Sequence, residues 1–418
     1  MRDFEHVQNV LNKVLFEDMP FHLAVKSSLK SDNKKHDPSF KQEISSVAGS
    51  VLRHYYLFKE IISRKYEEVS DKNFVLLSIG LANHLFAKKI DEDKLLPFIS
   101  KETEFNDSKD FILSFNDPTK LIPEDIELNS RKYISLRFNI PLWVVSMWEK
   151  NCGPVLSKKL YYSFSKFKKV LLRVNTDVIS KDDLLAKYPD FSAAQEDKYV
   201  LYEGRKNIRS LEAYHNDEII LTPAGYDFML SKLDIDAFRG IAIYGACENY
   251  LIDELSTLLG INFKADYICG KQKHFFEVKQ KLNALHLSNI SLYEIESEGM
   301  RTCVSKPVHY MFVCPDNSYL AELKERPDAF LRCKQEQLDE HIKEEKKALN
   351  SAADLVEEDG YLIYFIPTVC RNETRGVVNI FLNEHSEFSL VEEKQLFPFD
   401  KYQTMLYFAI LKKEVKHD

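Results

Sequence analysis

Three positions in this chain carry groups that could do chemistry at strand ends. Cys314 and Cys370 each lie just beyond an apolar run, 308–313 and 361–366, that reads as a buried strand. Ligands of open α/β sheets bind at the C-terminal ends of strands, so a thiolate at either cysteine could act as a nucleophile. The competing expectation is that both are buried loop cysteines without special reactivity. Gly245 closes a third apolar run, 241–244, and is followed by Ala246, Cys247, Glu248, Asn249 and Tyr250. Apolar residues then recur at Tyr250, Leu251, Ile252, Leu255, Leu258 and Leu259, which is helical spacing. A strand that turns sharply into a helix is where α/β proteins hold nucleotide-like cofactors, and such turns need glycines so that backbone N–H groups can approach the ligand. Only Gly245 remains to do this here.

A second chemistry is written in residues 150–175. Lys150, Lys158, Lys159, Lys166, Lys168, Lys169 and Arg173 occur there with no Asp or Glu, interleaved with Tyr161, Tyr162, Phe164 and Phe167. Lysines neutralise phosphates and aromatic rings stack on unpaired bases, so the pattern fits an RNA-facing surface. Part of the aromatic content must fill the core of its own domain. Lys26, Lys30, Lys34 and Lys35 form a weaker basic cluster, whereas residues 334–347 mix both signs and read as a solvated helix face.

The seven cysteines include no pair at CxxC spacing, and the histidines are scattered, so neither a disulfide framework nor a metal site is expected. A net charge of −8 argues against indiscriminate nucleic-acid binding but leaves room for a local basic face. No apolar run approaches the roughly 18 residues of a membrane span, and the first residues lack a signal peptide's basic start and apolar middle. A cytoplasmic protein is the expectation.

Positioning these groups requires at least two kinds of architecture. Residues 1 to 104 carry apolar stripes at three- and four-residue spacing, as in 43–64 and 73–88, which predicts a helical bundle. The polar, Pro-containing stretch 105–127 reads as a linker. From 128 to 222 the pattern is mixed: helices after Pro141 and near 154–165, with strands at 170–174, 199–203 and 217–221. Beyond 223 strands and helices alternate, with strands near 241–244, 308–313 and 361–366, a long polar helix over 329–356, and a final strand over 404–411. Alternation of this kind predicts a mostly parallel sheet covered by helices.

Taken together, these segments resemble the RsmB/NOP (Fmu/Sun) type of ribosomal-RNA cytosine-5 methyltransferases over nearly the whole chain. VLRHYYLFKEII is similar to a helix of the NusB-type domain, SLRFNIPLWVVSMWEKNCG to the family's LRYSHPxWLVxxWxxxxG, and LLRVNTDVISKDDLLAKY to its xLRVNxxKxxxxxLxxxL. ERPDAFLR, EEDGYLIY and VVNIFLNEHSEFSLVEE follow in the family's order. The resemblance implies a multidomain chain: an all-α NusB-like bundle with its linker (1–127), a small α+β RNA-binding domain (128–222) and an α/β Rossmann-like class I methyltransferase domain (223–418). It further implies S-adenosylmethionine as methyl donor, no metal, and RNA, ribosomal in particular, as partner, bound through Lys158, Lys159, Lys166, Lys168, Lys169, Arg173 and Asn175. A protein partner for the helical domain is a further expectation.

The chemistry-bearing motifs depart from the family. Its donor loop, CAAPGGKT, falls on Gly245-Ala246-Cys247-Glu248-Asn249-Tyr250-Leu251-Ile252, without the paired glycines or the lysine. The ribose-binding acid falls on Cys269, with Asp266 as an unaligned substitute. Glu248, Asp253 and Glu254 are expected to suit the helix dipole and to fill the space a donor carboxylate needs. The family's DAPC falls on Val313-Cys314-Pro315-Asp316, and its cysteine nucleophile on Pro367. Attack on C6 of cytosine needs a thiolate and a nearby acid, and proline and valine supply neither. The leading expectation is therefore an RNA-binding protein of this family with impaired or absent catalysis. The alternatives are an active enzyme whose nucleophile has moved to Cys370 or Cys314, and a protein-interaction module acting through the helical domain.

Overall fold

The computed structural model describes residues 3–30, 37–165, 169–204, 206–245, 250–318, 320, 326–332 and 334–415. They form two compact units: residues 1–157 with 322–334, and residues 158–321 with 335–418. Among the described residues, no helix is long and apolar enough to cross a membrane.

The first unit is all helical among its described residues. Its first helix, Asp3–Leu15, buries Val7, Val10, Leu11 and Val14, the i, i+3, i+4, i+7 stripe that makes one face of a helix apolar. Pro38–Arg53 and Asp71–Ala82 pack against it, each started by a side-chain cap: Asp37 accepts from the Ser39 N–H and Ser70 from the Asn73 N–H. Residues 105–127 are more than a linker. They contain the helix Ser108–Leu113, whose Phe111 and Ile112 are buried in the same core. The helical stretch Leu142–Ser165 breaks at Gly153, where φ is +74°, a backbone open to glycine, and Pro154 follows at a helix start where its missing N–H is not needed. The expected long helix over 329–356 is two, Ala329–Arg332 and Gln335–Ala353. The first belongs to this unit, where Phe330 lies against Trp148 and Asp328 accepts the Phe21 N–H at 3.0 Å.

The second unit holds two sheets. The smaller is antiparallel, in the order β2-β3-β1-β4, with β1 Val170–Val174, β2 Phe191–Ala193, β3 Tyr199–Tyr202 and β4 Ile219–Ile220. The larger consists of β5 Ile241–Gly245, β6 Ala265–Cys269, β7 Ile290–Glu294, β8 Val308–Cys314, β9 Val356–Ile366, β10 Phe388–Leu396 and β11 Leu406–Lys413. Its order is β10-β11-β9-β8-β5-β6-β7. β5 to β9 pair in parallel, while β11 pairs antiparallel with both neighbours.

Strand alternation divides the large core in two. Ile241, Ile243, Phe312, Ile363 and Phe365 pack on one face with the helix Tyr250–Leu259. Ala242, Tyr244, Met311, Val313, Leu362 and Tyr364 pack on the other with the helices Gln335–Ala353 and Arg375–Glu384. A central strand buried on both faces has to be largely apolar, as 308–314 is apart from His309, which meets Glu357 at 2.7 Å. This three-layer arrangement is a Rossmann-like α/β fold with an antiparallel strand, β11, inserted between β9 and β10.

Candidate functional site

The chain lays down β5, β6 and β7 on one side, then returns to place β8 and β9 on the other. Ligands of open α/β sheets bind at such a reversal, outside the C-terminal ends of the strands. That edge is formed here by Gly245, Cys269, Cys314 and the segment after Ile366. A cleft of about 320 Å³ lined by Arg301, Val304, Lys306 and Asp354 lies elsewhere, at the N-terminal end of β8.

Gly245 pairs with Cys314 in register and has φ of +129°. A Cβ at this position would stand 1.8 Å from the Cys314 carbonyl oxygen. Contact between two central strands therefore demands glycine here, with or without a ligand. Ala246 and Cys247, with Glu248 and Asn249, lie outside the described residues.

Cys269 ends β6 and is buried, and Gly270 and Lys271 follow. Asp266 lies three residues back on β6, roughly 10 Å along a strand rising about 3.3 Å per residue. The Tyr293 hydroxyl is 3.5 Å from it. It is thus set back from the edge where a ribose would sit. Lys271 instead forms an ion pair with Asp316, from the segment after β8, and His274 Nε2 approaches the same carboxylate at 3.8 Å. Because β5 lies between β6 and β8, this pair crosses in front of the C-terminal end of β5. A methyl donor of the S-adenosylmethionine kind would need that space and a carboxylate at the end of β6. The described residues do not fit it: positions 267–271 contain no acid, and Lys271–Asp316 spans the opening.

The two candidate nucleophiles are withdrawn from solvent. Cys314 is 3% exposed and Cys370 is 1% exposed. Burial, followed by the nearby Glu373 carboxylate, pushes the Cys370 thiol well above its ordinary range, the opposite of what a thiolate nucleophile needs. Val313 and Pro367 are buried as well. What fills this edge is a network that sequence reading missed. Glu373, fully buried, accepts the Ser318 N–H and the Ser318 hydroxyl, each at 2.7 Å, and the Thr368 hydroxyl at 3.1 Å. It ties the loop after β9 to the loop after β8. Among the described residues, no group of three or more His, Cys, Asp or Glu side chains is arranged to hold a metal ion.

The groups of the basic segment differ in exposure and in the partners they meet. Lys158 and Lys159 are exposed, and the Lys159 ammonium lies 5.6 Å from the centre of the Phe399 ring. Lys169 is paired with Glu203. Asn175 donates to the Asp217 carbonyl at 2.8 Å and so braces a turn of the small sheet. Lys166 and Lys168 lie outside the described residues. Arg173 on β1 turns inward to the carboxylate of Glu254, which is 2% exposed and also accepts from Thr222 at 2.9 Å. This corrects the expectation for the acids of the helix Tyr250–Leu259. Glu254 serves Arg173, and Asp253 meets Lys281 at 2.5 Å, so both carboxylates are bound to packing partners. Burial pushes the Glu254 carboxyl up, against the opposing pull of Arg173.

Comparison with protein-family models finds no match, and comparison with curated proteins finds none either. Solved structures do match. That of PH0851 superposes with a TM-score of 0.71 over 99% of each chain at 14% identity. NSun6 from Pyrococcus horikoshii with SFG matches 66% of this chain and 99% of its own at TM-score 0.57 and 10% identity. A methyltransferase homolog protein from Pyrococcus horikoshii matches 69% of this chain and 100% of its own at TM-score 0.55 and 14% identity. At such identities the likeness speaks for the fold alone: PH0851 shares it over nearly the whole chain, and the other two share it over about two thirds.

Proposed function

We propose that this chain is an RNA-binding protein of the RsmB/NOP methyltransferase type that no longer transfers methyl groups. Its divisions at about 127 and 222 would be those of that family, including a NusB-like first domain. One observation carries the loss of chemistry: at the reacting edge of the sheet both cysteines are buried, and the Glu373 carboxylate ties together the loops that follow β8 and β9. A nucleophile has to reach its substrate, and neither thiol does. The fold likeness to NSun6 and to a methyltransferase homolog supports descent from enzymes acting through a methyl donor. The lysine-rich segment supports RNA, ribosomal RNA in particular, as the retained partner.

Lys158 and Lys159 are the groups to test, because both are exposed and their removal leaves the core intact. Fluorescence-anisotropy titrations with single-stranded ribosomal RNA fragments, repeated across salt concentrations, should show weaker binding for the Lys158→Ala, Lys159→Ala double variant. The magnitude of the slope of log affinity against log salt should fall by roughly 0.7 to 1.4, since each phosphate contact contributes about 0.7 on a single strand. Unchanged affinity with an unchanged slope would remove this surface from the proposal.

A further inference from the structure

The helix Gln335–Ala353 reads as a polar helix, yet Glu345 within it is completely buried. Both of its carboxylate oxygens are buried without a hydrogen-bond donor. Its carboxyl neighbour is Glu373, which is itself an acceptor. Tyr364 lies close enough to help but gives its single proton to the Glu373 carbonyl at 2.6 Å. Two ionised carboxylates cannot face each other in a dry core, whereas one proton between them converts repulsion into a charge-assisted O–H···O bond. Glu373 already accepts three donors from Ser318 and Thr368, which favours it as the ionised partner. Glu345, with no donor of its own, is the member that holds the proton.

We propose that Glu345 and Glu373 share one proton, and that this proton fastens the loops following β8 and β9, with the helix behind them, into a single closed rim. The other titratable groups facing the pair fit this assignment. Lys346 on the same helix, His341 one turn back, and Tyr364 on β9 surround it, and Cys370 faces Glu373. Burial and the neighbouring carboxylate both raise the affinity of Glu345 for its proton. The proposal rests on this packing and is independent of whether RNA or a methyl donor binds.

The sign of the pH dependence follows. In the unfolded chain Glu345 titrates near 4.5, and in the folded chain it holds its proton to higher pH. Stability from the shared proton is thus complete below about 4.5 and lost as pH rises toward the folded value. Glu345→Gln replaces the proton with a permanent N–H donor of the same size. Thermal or urea unfolding should then show the unfolding constant of the native chain rising relative to E345Q by roughly tenfold per pH unit within that window, the slope of one proton. Hydrogen exchange at the Ser318 and Cys370 amides should accelerate with the same profile in the native chain and stay flat in E345Q. Should E345Q fail to fold, an infrared protonated-carboxyl band in the native chain at pH 7 supports the assignment, and its absence overturns it. Parallel pH curves for the two chains would also overturn it. So would a magnesium- or manganese-dependent rise in the native melting temperature that E345Q lacks, because a cation and not a proton would then hold the pair.

Discussion

Gly245→Ala is expected to destabilise the large-sheet unit by about 4 kcal/mol or more, beyond the range of ordinary substitutions. Two penalties combine. A residue with a side chain at φ of +129° is strained wherever it stands, at roughly 1 to 3 kcal/mol. The added Cβ would also lie 1.8 Å from the Cys314 oxygen and 2.5 Å from its carbonyl carbon. These are backbone atoms of the adjoining central strand, so no flexible side chain can move aside. Gly260→Ala is the control, since φ there is +78° with nothing within 4 Å of the new atom. It should cost only the backbone strain. Urea unfolding of the two variants should separate them by several kcal/mol, and equal effects would show that the strand contact is unimportant.

Arg173→Ala should be nearly as damaging, by about 3 to 5 kcal/mol, because it strands a buried carboxylate without its cation. Glu254 is 2% exposed, and Thr222 alone cannot compensate its charge. The loss should depend on pH. Burial raises the Glu254 carboxyl in the folded chain, and Arg173 opposes that rise. Without Arg173 the folded value climbs further, so stability falls as pH rises above the unfolded value of 4.5 and recovers as pH drops below it. Adding Glu254→Gln to Arg173→Ala should restore much of the stability near neutral pH. If Arg173→Ala is well tolerated at pH 7, the buried pair is not what holds Arg173. Any weakening of RNA binding in this variant has to be read beside its melting curve.

The elements that present themselves as uninterrupted apolar runs were legible in the sequence. β1 has the expected bounds, and β5 and β8 extend one residue past theirs. β6, β7 and β10 carry no comparable signal. Asp266 interrupts β6, and β10 is an edge strand, FSLVEEKQL, with a bulge between Leu390 and Glu392 and charges toward solvent. Such edges look like loops because protecting an edge from other chains requires polar residues. At the site, the positions of Gly245, Cys314 and Cys370 followed from the strand ends, and the expectation of buried loop cysteines agrees with their burial. Glu373, which reaches across from one loop to the next, left no such signal. Arg173 was assigned to RNA by its neighbours in sequence, while its partner Glu254 lies on a helix that only tertiary packing brings near. Glu345 left one usable trace. It stands three, four and seven residues before Ala348, Leu349 and Ala352, on the stripe that faces the core.

The proposed loss of chemistry has its most direct test in donor binding. Isothermal calorimetry of the full chain with S-adenosylmethionine, carried to millimolar concentration, should show no saturable heat, because the end of β6 offers no carboxylate and Lys271–Asp316 crosses the opening. Saturable micromolar binding would contradict the account and return the chain to the active methyltransferases.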